Sequence, residues 1–155
     1  MFSSKSKCLV VCISLLLLVV LLAAGCAPRT DGEPLVLYTA IPASRDEIPR
    51  ITPEELKAMM DRKEPVVILD CNSEEMYQSQ HIPGAVNIVD LGGLEKDPGL
   101  SKSTLIVAYC VCDDEATSGD VALQMITDFG YRNIKLLLGG NAKWSDLGYP
   151  MEKVE

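Results

Sequence analysis

Positive charge is scarce in this chain of 155 residues, which has 14 lysine and arginine residues against 22 aspartate and glutamate residues. A surface with a formal net charge of −8 does not attract nucleic acid or anionic lipid by general electrostatics. We therefore exclude nucleic acid as a partner. Histidine is scarcer still, since His81 is the only one. A cysteine–histidine catalytic pair would have to use this residue.

An apolar run long enough for a typical membrane-spanning helix, about 18 to 20 residues, is also lacking. The run over residues 9–24 is shorter and is interrupted by a cysteine and a serine. It follows Lys5 and Lys7, and small residues close it before Cys26. A basic start, an apolar segment and small residues are typical of a secretory signal peptide. An uncleaved N-terminal anchor helix is the alternative.

Residues 21–26, "LLAAGC", resemble the lipobox of bacterial lipoproteins. The resemblance implies cleavage before Cys26 and a lipid on its sulfur and new amino group. We predict a signal peptide over residues 1–25, a lipidated, proline-rich tether over residues 26–50 and a folded domain over residues 51–155. The domain would be held to a membrane through the lipid on Cys26, in the bacterial cell envelope and outside the cytoplasm.

The predicted domain contains an odd number of cysteines, namely Cys71, Cys110 and Cys112. Outside the cytoplasm, an odd count does not match a simple framework of disulfides. An arrangement of one disulfide and one free thiol, or of three reactive thiols, matches this count better. Cys71 and Cys110 each come at the end of an apolar, β-branched run.

Strand and helix patterns alternate along the predicted domain. Thr52 with Pro53 and Glu55 forms a capping-box pattern, which predicts a helix to about Arg62. Strands are predicted at residues 65–71, 85–89, 104–110 and 133–138, and further helices at residues 74–79, 115–129 and after residue 140. This alternation predicts an α/β fold with a mostly parallel central sheet and helices on both faces. The working site of such a sheet lies beyond the carboxyl ends of its strands, where Cys71 and Cys110 fall.

Three blocks of the sequence resemble the rhodanese-like domain family. The block "ILDCNSEEMYQSQHIPGAVNI" contains the family's strand aspartate, Asp70, and its His-Ile-Pro-Gly-Ala signature, which starts at His81. The block "LLLGGNAKWSDLGYP" is similar to the family's closing element, and "YC" places Cys110 at the position of its catalytic cysteine. The resemblance implies the rhodanese fold and sulfurtransferase-type chemistry without a cofactor, in which Cys110 carries sulfur as a persulfide. Asp70, Cys71 and His81 are expected to support the site, His81 through a structural hydrogen bond.

The predicted active-site loop departs from the family pattern, because it is acidic. Cys110 is followed by Val111, Cys112, Asp113, Asp114, Glu115 and Ala116. Asp113 and Glu115 stand where active members commonly have glycine and arginine. We expect the acidic side chains to point outward, where solvent screens them, so that a thiolate still forms while small anions are repelled. The sulfur donor and acceptor, which the sequence does not identify, would then be a neutral or cationic thiol species or a partner protein with a basic rim.

Cys112 has three interpretations. It could be a resolving thiol for a persulfide on Cys110, a ligand of a soft metal ion together with Cys110 and Cys71, or a residue that only fills the loop. No fourth ligand is evident, so no metal site is predicted. We expect Cys110 to be the more acidic thiol, because it precedes inward-facing N–H groups and a helix N-terminus. The alternatives to sulfur carriage are a thiol–disulfide redox module using Cys110 and Cys112, and a non-catalytic binding module.

Overall fold

The computed structural model describes residues 40–88 and 94–154, all of them within one compact unit that covers Pro34–Glu155. The predicted signal peptide and lipidation site, Cys26, lie outside the described residues, as does most of the predicted tether. Within the described ranges, no helix is long and apolar enough to cross a membrane.

Strands and helices alternate as predicted. Among the described residues, the strands are β1 (Arg50–Ile51), β2 (Val66–Asp70), β3 (Val86–Asn87), β4 (Leu105–Tyr109) and β5 (Ile134–Leu137). The α-helices in the same ranges are α1 (Pro53–Asp61), α2 (Glu74–Ser79), α3 (Ala116–Thr127) and α4 (Gly140–Asp146), and a short 3-10 helix (Arg45–Glu47) precedes β1. The predicted capping box starts α1: the Thr52 hydroxyl accepts the Glu55 N–H at 3.2 Å, and the Glu55 carboxylate accepts the Thr52 N–H at 2.9 Å.

The sheet is parallel, with the strand order β1-β5-β4-β2-β3. The chain leaves β2 toward β3 at one edge and leaves β4 toward β5 on the other side. The carboxyl ends of β2 and β4 therefore flank the point where the connections diverge, which is the usual binding crevice of an open α/β sheet. Asp70 pairs with Tyr109 in register, so Cys71 and Cys110 leave the sheet side by side.

Two apolar cores cover the two faces of the sheet, as the prediction of helices on both faces requires. All of β4 is buried, and its residues alternate between the cores. Ile106 and Ala108 belong to the core that contains the buried face of α3, whereas Val107 and Tyr109 belong to the core of α1 and α4. Burial on both faces explains why this strand is an unbroken apolar run.

The end of the predicted tether is part of the folded unit. Ile48 is 1% exposed and belongs to the core on the α3 face, and Arg50 pairs with Leu136 of β5. The fold therefore begins before residue 51, earlier than the predicted boundary. Burial of an isoleucine and pairing with a sheet edge outweigh the extended preference of the surrounding prolines.

Candidate functional site

The loop between β4 and α3, residues 110–115, is called the cysteine loop here. Its first residues are held from two sides. The Val111 N–H donates to Asn72 Oδ1 at 2.8 Å, and the Cys110 carbonyl accepts the Asn141 N–H at 3.2 Å. The loop is therefore tied both to the residues after β2 and to the start of α4, at the crevice between β2 and β4.

Cys110 is the first residue of this loop and is 1% exposed. The Ser118 hydroxyl lies 3.6 Å from Cys110 Sγ, and the backbone N–H groups of Ser118 and Cys112 also donate to the sulfur. Inward-facing N–H groups are thus present, as expected. Burial nevertheless raises the pKa of the Cys110 thiol above its ordinary value, because the loss of solvent outweighs these donors.

Cys112 is half-buried, and its Sγ lies 3.5 Å from the Thr117 hydroxyl. The hydrogen bond from Thr117 lowers the pKa of Cys112, the neighbouring Cys110 thiol has the same effect, and the Asp114 charge opposes both. The Cys110 thiol itself donates to the Cys112 carbonyl at 3.9 Å. The expectation that Cys110 is the more acidic thiol is therefore wrong. Cys112 keeps contact with solvent while it gains donors, whereas Cys110 loses solvent altogether.

Iodoacetamide should consequently label Cys112 before Cys110 at mildly acidic pH. The thiolate is the reacting form, so the thiol with the lowered pKa reacts first as pH rises, and Cys112 is also the more accessible of the two. Peptide mass spectrometry over a time course would measure both rates. In urea-unfolded protein, the control, the two rates should become similar. Faster labelling of Cys110 in the folded protein would contradict the assignment.

The three acidic residues of the cysteine loop do not share one environment. Asp113 and Asp114 are exposed, as expected. Glu115 is 6% exposed, so the expectation of an outward side chain is wrong for this residue. Glu115 Oε1 accepts the Gly139 N–H at 2.9 Å, and Oε2 lies 3.5 Å from Arg50 Nε. A backbone donor and a guanidinium compensate the buried charge, which would be costly without them.

Glu115 also has a left-handed backbone, with φ 51° and ψ 27°. For a residue other than glycine, this conformation costs about 1 to 2 kcal/mol. The Glu115 N–H donates to the Cys112 carbonyl at 3.1 Å, and its carbonyl accepts the Gly119 N–H at 2.7 Å. This turn brings the carboxylate inward. An arginine in its place would face Arg50 and could not accept the Gly139 N–H.

A buried network supports the loop from β2. Asp70, which is 0% exposed, accepts the Asn72 N–H at 2.8 Å and the Tyr109 hydroxyl. That hydroxyl in turn accepts the Ile82 N–H at 3.0 Å. Burial and the neighbouring Asp70 raise the pKa of Tyr109, so its phenol remains a donor. Asp70 therefore orients Asn72, whose side chain holds Val111.

The other two predicted supporting residues lie in different surroundings. His81 is 5% exposed, its Nδ1 is 2.8 Å from the Tyr77 carbonyl, and its ring stacks on that of Tyr77 at 4.0 Å. These contacts brace the segment after α2. Cys71 is 3% exposed and shares the core of the α3 face with Cys110. In the part of the chain that the structure describes, no group of three or more His, Cys, Asp or Glu side chains could hold a metal ion.

Four residues at the loop were not anticipated in these roles. Thr117 and Ser118 lie in the first turn of α3, where unpartnered N–H groups make donors common, so their position was a usable signal. Arg45 and Arg50 gave no such signal, because they lie some 65 to 75 residues before their loop partners, within the predicted tether.

The rhodanese-like domain family model matches residues 52–147, which is more than half of the chain. This chain belongs to the rhodanese-like domain family. It is 25% identical over 111 residues to the thiosulfate sulfurtransferase GlpE of Pseudomonas syringae, covering 70% of this chain and 97% of that protein. It is 26% identical over 110 residues to the adenylyltransferase and sulfurtransferase UBA4 of Candida albicans, covering 63% of this chain and only 23% of the larger protein.

Among solved structures, the BH2092 protein of Bacillus halodurans aligns with a TM-score of 0.57 and 23% identity, over 70% of this chain and 80% of that one. Together with the family match, this likeness confirms the rhodanese fold. The family match starts after Arg45 and Arg50, so both basic side chains at the cysteine loop come from outside the matched segment.

Proposed function

We propose that this rhodanese-like domain transfers sulfur and carries it as a persulfide on Cys110. The observation that supports this most is the set of donors around Cys110 Sγ: two backbone N–H groups and the Ser118 hydroxyl. Three donors at one sulfur stabilise negative charge, which is present both on the attacking thiolate and on an ionised persulfide. Two relatives named as sulfurtransferases align with this chain at 26% and 25% identity.

In the proposed reaction, the Cys110 thiolate attacks the outer sulfur of a donor and forms a new S–S bond. The donor's bond to that sulfur breaks, and the donor remainder leaves with the electron pair. An acceptor thiolate then attacks the outer sulfur and releases Cys110 as a thiolate. The buried Cys110 thiol, which donates to the Cys112 carbonyl at 3.9 Å, must first lose its proton, and we propose the neighbouring Cys112 thiolate as the group that accepts it.

The charge at the loop limits which donors suit the site. Asp113 and Asp114 are exposed beside it, and Glu115 uses its charge internally. Small anions such as thiosulfate would meet repulsion there, although salt would reduce it. We therefore propose a neutral or cationic thiol species, or a partner protein with a basic rim, as the sulfur donor or acceptor.

A thiol–disulfide redox module is the second candidate. The supporting observation is the pair of neighbouring thiols, in which the more exposed Cys112 has a lowered pKa and the buried Cys110 a raised one. In this reaction, a substrate disulfide would accept two electrons and two protons while Cys110 and Cys112 form a disulfide. Such a closely spaced bridge is strained and is therefore readily reduced.

Intact-protein mass spectrometry after treatment with a neutral organic trisulfide would distinguish these functions. Sulfur carriage predicts a gain of the mass of one sulfur atom that a reductant reverses. The redox function predicts a loss of the mass of two hydrogen atoms, and a non-catalytic binding module predicts no change. Protein with all thiols blocked beforehand is the control.

We also propose that the domain is lipid-anchored in the bacterial cell envelope through Cys26. The basic start and the "LLAAGC" segment support this proposal. Replacing Cys26 by serine should leave an unprocessed precursor and abolish incorporation of labelled fatty acid, because the sulfur that carries the lipid is lost. Cys12→Ser, within the apolar run, is the matched control and should be processed normally. Wild-type processing and membrane association of the Cys26→Ser variant would refute the anchor.

A further inference from the structure

Arg50 connects the segment before the family-matched region to the cysteine loop. Its Nη1 donates to three carbonyls of its own segment, those of Arg45 at 3.2 Å, Asp46 at 2.8 Å and Ile48 at 2.7 Å. These bonds fix the direction of the guanidinium. Its Nε faces Glu115 Oε2 at 3.5 Å, and the Arg50 side chain is 27% exposed. A partly buried cation with this many anchors has little freedom to move away from its partner.

Glu115 joins three parts of the molecule at this point. Its carboxylate forms an ion pair with Arg50, which precedes the family-matched region. The same carboxylate accepts the Gly139 N–H from the turn between β5 and α4. Its backbone N–H holds the Cys112 carbonyl inside the cysteine loop. The conformation of the loop around Cys112 therefore depends on where the Glu115 side chain is held.

Arg45 adds a weaker contact on the outside. It lies 3.7 Å from the Asp114 carboxylate and 3.3 Å from the Asp120 carboxylate, and both acidic partners are well exposed. Its stem lies over Gly119, where an added Cβ would be 3.0 Å from the Arg45 side chain. Exposed ion pairs contribute little, so Arg50 is the stronger candidate of the two.

We infer that Arg50 is a positioning residue for the cysteine loop and acts through Glu115. The cation that family members commonly have within the loop is replaced by an acid at position 115, and a guanidinium from the N-terminal segment neutralises that acid. Without it, a buried carboxylate in a left-handed turn would lose one of its two partners, and the turn would open toward solvent. The inference rests on the proposed function only in taking Cys110 and Cys112 as the reactive thiols.

The test uses the full chain with the variants Arg50→Gln, Glu115→Gln and the pair combined. The pH dependence of Cys112 alkylation is measured by peptide mass spectrometry. A loosened turn would separate Cys112 Sγ from the Thr117 hydroxyl, leaving the Asp114 charge to oppose the thiolate. Each single change should therefore raise the pH midpoint and slow labelling by about three- to tenfold near neutral pH. The double variant should be no slower than the slower single variant, because one shared interaction can be lost only once.

Arg62→Gln is the matched control, since Arg62 also forms an ion pair, at 2.6 Å to Glu64, but at the end of α1. It should label like the wild type. Arg50→Lys should fall between wild type and Arg50→Gln, because lysine keeps the charge without the guanidinium fork. If Arg50→Gln does not fold, Arg50→Lys takes its place in the comparison with Glu115→Gln. Wild-type midpoints in both single variants, or effects that multiply in the double variant, would overturn the inference. Alkylation needs no sulfur donor, so failure of the proposed sulfur transfer would be seen separately.

Discussion

Replacing Cys110 by serine should abolish persulfide formation, whereas replacing Cys112 should slow it without preventing it. Cys110 Sγ is the atom on which the loop donors converge, so no other thiol of the site would hold the transferred sulfur. Cys112→Ser removes the proton acceptor next to a thiol whose pKa burial raises. We expect formation to slow on the order of tenfold at neutral pH and to recover as pH rises and Cys110 ionises unaided.

The same variant should lengthen the lifetime of the persulfide. With Cys112 absent, its thiolate can no longer attack Cys110 Sγ, release sulfide and leave a disulfide. A time course of intact mass after removal of the donor would measure both effects. Arg62→Gln is the control, because the ion pair of Arg62 with Glu64 lies at the end of α1, away from the cysteine loop. Persulfide on the Cys110→Ser variant together with none on Cys112→Ser would reverse the two roles.

The acidic loop destabilises a thiolate less than its three acidic residues indicate, because these residues have different roles. Glu115 is neutralised within the fold by Arg50 and the Gly139 N–H. Asp114 Oδ1 accepts the Ala116 N–H at 3.2 Å at the start of α3. Only Asp113 is left without such a described contact among the three, and it is exposed. A sulfur donor that approaches the loop therefore meets less negative charge than three uncompensated carboxylates would carry.

The elements of this fold could be predicted because their signals are local. The apolar run of β4 and the Thr52 capping box each lie within a few residues, and both predicted the element that forms. The parallel sheet follows from the alternation of such elements. The position of Cys110 beyond a strand end was predictable for the same reason.

The chemistry of the thiols was not predictable in this way. The pKa of Cys110 depends on a balance between burial and hydrogen-bond donors, and its sequence neighbours do not reveal how deep the thiol lies. The inward turn of Glu115 depends on Arg50, 65 positions earlier, and on Gly139, 24 positions later. Contacts over such separations leave no periodic pattern in a single sequence.

Gly140→Ala should destabilise the domain more than any other glycine-to-alanine change at the site. Gly140 has φ 55°, and an added Cβ would lie 2.0 Å from the Cys110 carbonyl oxygen and 3.2 Å from its carbon. Both atoms belong to the backbone at the end of the central strand, so neither can move without distorting β4 or α4. The left-handed conformation costs about 1 kcal/mol and the overpacking about 1 to 3 kcal/mol more, so we expect a loss of about 2 to 4 kcal/mol in the free energy of unfolding.

Gly148→Ala separates the two contributions. Gly148 has φ 72°, but an added Cβ there would meet nothing within 4 Å, so this variant should lose only the conformational part, about 1 kcal/mol. Urea unfolding of both variants and the wild type would measure the difference. Equal losses in the free energy of unfolding would mean that the added Cβ at residue 140 does not clash with the Cys110 carbonyl. Because that carbonyl belongs to the residue proposed to carry sulfur, Gly140→Ala should also slow persulfide formation in the fraction that remains folded, and Gly148→Ala should not.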